Sequence, residues 1–202
     1  DPERILSVVG ADGLATVVTT HQHWDHHRAL EAVVAATGAE TVAGADDADA
    51  LPVPVTHPVK DGDTVRVGRS SLEVIHLVGH TPGSIALALH GAAAGDAVHL
   101  FTGDCLFPGG VGKTWQEGDF EKLLTDVMTR VFDVYPDSTV VYPGHGDDTT
   151  LGAERPHLGE WRERVGVVAV VLAARKLQEP VRRIEKEPVP ALRAPCLADL
   201  AP

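Results

Sequence analysis

The chain has 202 residues, 44% hydrophobic and 23% charged, enough for one soluble globular domain with a substantial core. Seventeen basic against 29 acidic residues give a net charge of −12, which removes any global attraction to nucleic acid or an anionic membrane. Two cysteines, Cys105 and Cys196, cannot build a disulfide framework, and no apolar run approaches the ~20 residues of a transmembrane helix, so a cytoplasmic setting is expected.

Asp1-Pro2-Glu3 ahead of Ile5, Leu6, Val8 and Val9 predicts a capped helix start. No secretory leader is visible, and the first residue is not Met, so the natural start is expected upstream. Ala15 to Thr20 is apolar and β-branched and reads as a short buried strand. Ala29 to Thr37 has helical spacing. Val65 to Val67, Leu72 to Leu77, Ile85 to Leu89, Val98 to Phe101 and Val140 to Tyr142 read as further strands. Phe120 to Phe132 is amphipathic, with Leu123, Leu124, Val127, Met128 and Val131 on one side. Strands mixed with helices predict a layered α/β (α+β) domain over residues 1–163. Residues 164–202 form a tail, with a helix expected from about Glu160 to Gln178 and an irregular end beyond Pro180.

The chemistry concentrates where these strands end. Thr20-His21-Gln22-His23-Trp24-Asp25-His26-His27 follows the first strand directly and offers imidazoles and a carboxylate, ligands suited to Zn²⁺. Gly79-His80-Thr81-Pro82-Gly83-Ser84, Thr102-Gly103-Asp104-Cys105 and Pro143-Gly144-His145-Gly146 repeat the theme, each a glycine-containing turn just past a strand. His21, His23, Asp25, His26, His80, Asp104 and His145 make seven ligand-type side chains on four loops, enough for two metals if one carboxylate bridges. A lone histidine or a single Asp after a strand is more often a hydrogen-bonded or turn residue, so the weight lies in the combination. Cys105 is expected to pack inward as a small apolar residue. His57, His76, His90, His99 and His157 lack the strand-end context and receive no role. His27 is expected to face the helix start or solvent.

The order THQHWDHH, GHTPGS, FTGDCLF, PGHG strongly resembles the metallo-β-lactamase superfamily over roughly Asp1 to Glu163, and most closely its hydroxyacylglutathione hydrolase (glyoxalase II)-like branch. The resemblance implies an αββα sandwich with metals at one sheet edge. The family pattern has two or three strands before the helix at Pro2, so an N-terminally incomplete sandwich is expected. By resemblance His21, His23 and His80 hold one divalent metal, Asp25, His26 and His145 a second, and Asp104 bridges them. Asp25 is also the expected catalytic carboxylate. Zinc is the expected metal, with iron or manganese as alternatives. The implied function is a metal-dependent hydrolase, a thioesterase whose bridging hydroxide attacks a small acyl-thiol. Lys113 and Trp115, in Gly109 to Trp115, match the branch's substrate-binding positions. Asp147 stands where that branch commonly has Tyr, and its helical C-terminal domain has no counterpart here. Two alternatives stay open: a mononuclear-iron persulfide dioxygenase using His80, Asp104 and His21 or His145, and a non-catalytic fragment.

Overall fold

The computed structural model describes residues 1–91 and 97–164. Asp1 caps the first helix, α1 (Pro2–Val9), its side chain accepting from the Glu3 backbone N–H at 3.0 Å. β1 (Thr16–Thr19) follows, then the short α2 (Trp24–His27), α3 (Leu30–Thr37), β2 (Glu40–Gly44) and β3 (His57–Val59). These three strands form a parallel sheet in the order β1-β2-β3. Neither β2 nor β3 was foreseen. The last four residues of β2 are all buried and show no alternation, and β3 is three residues long and contains Pro58.

The second sheet is built from β4 (Thr64–Val67), β5 (Ser70–His76), β6 (Ile85–Leu89), β7 (His99–Gly103), β10 (Val140–Pro143) and β11 (Thr149–Thr150), in the order β11-β10-β7-β6-β5-β4. β8 (Leu106–Phe107) and β9 (Gly110–Val111) form a small hairpin after β7. α4 (Asp119–Val127) covers the large sheet and passes into a π-helical turn at Met128–Phe132, where a single α-helix to Phe132 is expected from the sequence. α5 (Leu151–Glu154) follows β11. Residues 158–164 are helical, and the rest of the helix expected to Gln178, with the end beyond Pro180, lies outside the described residues. Among the described residues no helix is long and apolar enough to cross a membrane.

Two apolar layers hold this arrangement. Val42 and Val59 of the small sheet pack with Val65, Leu72, Val74, Ile85 and Leu87 of the large one. The opposite face of the large sheet carries Ile75, Ala86, Ala88, Leu100 and Val141, packed with Leu123, Leu124, Val127, Phe132 and Trp161. The alternation along β6, with Ile85 and Leu87 on one side and Ala86 and Ala88 on the other, follows the two-residue strand period.

The topology collects the ligand loops. β5 and β7 each pair antiparallel with β6, and β10 pairs parallel with β7, so the C-terminal ends of β5, β7 and β10 share one sheet edge. The end of β1 joins them there, because the Ile85 backbone N–H donates to the Thr20 carbonyl at 2.9 Å.

Candidate metal centre

All seven ligand-type residues meet at this edge. His21, His23 and His80 form one group, Asp25, His26 and His145 another, and His21, His26 and Asp104 a third that links them; within each, one ligand atom per residue lies within 4.8 Å of the others. In the first group His80 Nε2 lies 2.9 Å from His23 Nδ1 and 3.3 Å from His21 Nε2. The other ring nitrogen of His80, Nδ1, donates to the Lys113 carbonyl at 2.6 Å. That bond places the Nδ1 hydrogen on the Lys113 carbonyl and turns Nε2 toward the cluster, the usual arrangement behind a metal-binding imidazole.

In the second group His145 Nε2 lies 2.9 Å from Asp25 Oδ2 and 3.0 Å from His26 Nε2. Asp104 sits between the groups: its Oδ1 is 3.3 Å from His26 Nε2, and its Oδ2 is 3.7 Å from His80 Nε2 and 3.8 Å from His145 Nε2. Although His26 is near, its approach is out of line for a hydrogen bond, so the buried Asp104 Oδ1 has no donor among the described residues. A buried carboxylate oxygen without a donor, surrounded by converging imidazoles, is the donor set that a divalent cation satisfies.

The surroundings tune these groups in the same direction. Burial, then the neighbouring His26 and His80, pushes His21 down to about 3, although Asp104 pulls the other way. Burial and His80 likewise lower His23. Desolvation opposes ionisation of Asp104, but His26, His21 and His145 outweigh it and hold the carboxyl below its usual range. His26 moves up, chiefly because the Asp104 carboxylate lies beside it. Neutral His21 and His23 rings keep lone pairs available at neutral pH.

These shifts predict an acid-labile metal-free chain. Unfolded histidines take up protons below about 6.5, whereas folded His21 resists until about 3, so the unfolded state binds more protons in that window and stability falls with pH. The lowered Asp104 adds to the loss at the acid end. The raised His26 contributes in full throughout that window and loses its contribution only above it, as pH rises through its folded value. Melting curves of the metal-free protein should show Tm falling steadily from pH 6 to 4, where His26 contributes a constant amount; a constant or rising Tm there would contradict these assignments.

Other expectations resolve individually. Cys105 is buried, and burial pushes its thiol up to about 12, so it is no nucleophile at neutral pH. His27 Nε2 donates to the Gln22 carbonyl at 3.0 Å and braces the histidine loop. Trp115 is 61% exposed beside His23, with ring centroids 5.9 Å apart. The Lys113 amine lies 4.1 Å over the Trp115 ring. A cavity of about 450 Å³ opens next to His23 and His80, lined also by Gln22, Trp115, Gln116 and Lys122. Its lining cation is Lys122, from the first turn of α4, rather than Lys113. The sequence reading missed Lys122, the role of the Lys113 carbonyl, and Asp47, whose carboxylate joins two ligand loops.

Two facing sheets with ligand-type side chains gathered at one sheet edge define the class of fold. Residues 3–163 match the family model described as the metallo-beta-lactamase superfamily, and the chain belongs to that superfamily. A hydroxyacylglutathione hydrolase of Jannaschia sp. (strain CCS1) is 35% identical over 153 residues, covering 72% of this chain and 54% of the relative. The chain thus spans about half the length of that curated relative. The crystal structure of ETHE1 from Myxococcus xanthus is 32% identical with a TM-score of 0.66, over 77% of this chain and 67% of that one. The crystal structure of TTHA1623 in a di-iron-bound form is 31% identical with a TM-score of 0.63, over 77% of this chain and 82% of that one.

Proposed function

We propose that this chain is a dinuclear metallohydrolase acting on a small thioester of the hydroxyacylglutathione type. The observation that carries the reading is the placement of Asp104 between two separate ligand groups, His21/His23/His80 and Asp25/His26/His145. A pair of divalent cations, zinc in this reading, would supply an activated water and a Lewis acid for the acyl oxygen. The protein's part is to hold the seven ligands and to present the substrate. Asp25 is half-exposed and accepts from His145, which leaves it at the open side of the second group, where a proton can be passed to solvent. The cavity beside His23 and His80 accepts the acyl-thiol, with the Trp115 ring as an apolar wall and Lys122 as the cation for an anionic group. A cytoplasmic setting, with Cys105 as a free thiol, belongs to the same reading.

The test is a panel of thioesters against the zinc-reconstituted chain. Hydrolysis of acyl-thiols with about two zinc ions per chain supports the proposal. One iron per chain with O₂ uptake on a persulfide would favour the dioxygenase reading, to which the similarity to ETHE1 from Myxococcus xanthus lends support. Metal uptake without turnover of either substrate would favour a non-catalytic role.

Lys113→Ala separates the two contributions of that residue. The variant keeps its main-chain carbonyl, and therefore the bond from His80, but loses the amine that lies on Trp115. KM for an anionic acyl-thiol should rise about 3- to 10-fold, in line with the ~0.5–1 kcal/mol of an exposed cation–π contact plus a screened charge, with kcat nearly unchanged. A fall in kcat with constant KM would place the amine in the chemistry instead.

A further inference from the structure

Asp47 belongs to none of the motifs, yet its exposure is 0%. Its carboxylate accepts from three donors on two ligand loops. Oδ2 accepts from the Gln22 backbone N–H at 2.9 Å and the Thr81 hydroxyl at 2.6 Å, and Oδ1 accepts from the Gly83 backbone N–H at 2.7 Å. Gln22 lies between His21 and His23, and Thr81 follows His80. One side chain therefore ties together the two loops that carry all three imidazoles of the first group. Ser84 completes the link: its hydroxyl lies 2.5 Å from the Thr81 hydroxyl and accepts from the Thr81 N–H at 3.1 Å.

The backbones around Asp47 interlock. A Cβ on Gly44 would overlap the Gly83 carbonyl oxygen, and a Cβ on Gly83 would overlap the Asp47 backbone nitrogen. The turn after β2 is thus pressed against the His80 loop at a separation that glycine alone permits. A carboxylate enclosed this way is costly to bury without donors, so it cannot relax away from them. No hydrogen bond runs from Asp47 to Asp25, His26 or His145 among the described residues.

We propose that Asp47 is a positioning residue that fixes the spacing between His21/His23 and His80, and so governs the first metal position without governing the second. The proposal rests on the dinuclear reading above. Asp47→Asn preserves volume but replaces one acceptor oxygen by an NH₂ group, so either the Gly83 donor or the Gln22 and Thr81 donors lose their partner.

The metal-free protein and its variants are titrated with Co²⁺, following the visible bands and the bound ion count. In Asp47→Asn one of the two affinities should fall about 10- to 100-fold, the range typical for lost partners behind a metal ligand, while the other stays within about 2-fold of wild type. Thr81→Val, which removes one donor and keeps the carboxylate, should give a smaller loss at the same position; it carries the test if Asp47→Asn does not fold. Amide exchange in the metal-free chains gives a readout independent of any ion: the Gln22 and Gly83 amides should exchange faster in Asp47→Asn, and the Gly144 amide, bonded to the Gly103 carbonyl, should not. Equal weakening of both positions means a purely structural role and overturns the proposal, as do unchanged affinities with unchanged exchange. A wild-type chain that binds a single ion overturns the dinuclear reading instead; Asp47 then keeps its role only if Asp47→Asn weakens that ion.

Discussion

Asp104→Ala is expected to lower kcat/KM by at least about 10³-fold and to reduce bound metal from two ions per chain to one or none, because in the dinuclear reading proposed above a carboxylate bridging the pair would contribute several kcal/mol to holding and activating it. The residue sits where no neighbour can replace it. Its Oδ1 is buried without a donor, and its two oxygens face His26 on one side and His80 and His145 on the other. Removing the carboxylate leaves imidazoles from both groups facing one another with no anion between two cations, and like-charge repulsion then disfavours double occupancy. Activity assays with metal analysis of the purified variant check both parts. A variant that retains two ions and wild-type turnover would refute the bridging role.

Gly144→Ala is expected to cost nearly as much by a different route. A Cβ at this position would overlap Asp104 Oδ1 and lie 2.6 Å from His26 Cε1. The backbone at Gly144 needs no left-handed conformation, so the methyl group strains the ligands rather than the chain. Either Asp104 or His26 must move, and a ligand displaced by about 1 Å from its productive geometry typically costs about 10²-fold in rate. The expected result is a folded protein whose metal-free Tm stays close to wild type but whose metal affinity and turnover both collapse. Normal metal binding with normal turnover would show that the Asp104–His26 pair has room that the observed contacts deny.

The ligand loops were legible because their residue types are chemically narrow and each follows a strand with a recognisable β-branched run. The strand ending at Thr19 and the loop between β5 and β6 stand where periodicity placed them, and the strand before Asp104 runs on to Gly103, two residues past the expected Phe101. What the sequence could not display were contacts between residues far apart along the chain. Asp47 meets Gln22 across 25 residues and Gly83 across 36, and in the sequence it is one Asp among several in an acidic turn. Lys113 acts on His80 through its main-chain carbonyl, a contribution that no side-chain motif encodes. Lys122 occupies a helix turn where a solvated lysine is the ordinary expectation, and only the cavity beside His80 gives it another meaning. β2 escaped notice because a strand covered on both faces loses the alternation that marks half-buried ones, and β3 because it is three residues long and contains Pro58. The π-helical turn at Met128–Phe132 keeps Met128, Val131 and Phe132 in the core, so its apolar pattern is the one a continuous helix would show.

Anomalous diffraction at the zinc edge, from crystals of the zinc-loaded chain, addresses the centre itself. The account predicts two peaks, one surrounded by His21, His23 and His80, the other by Asp25, His26 and His145, with Asp104 reaching both. A single peak, or zinc bound away from Asp104, would contradict it.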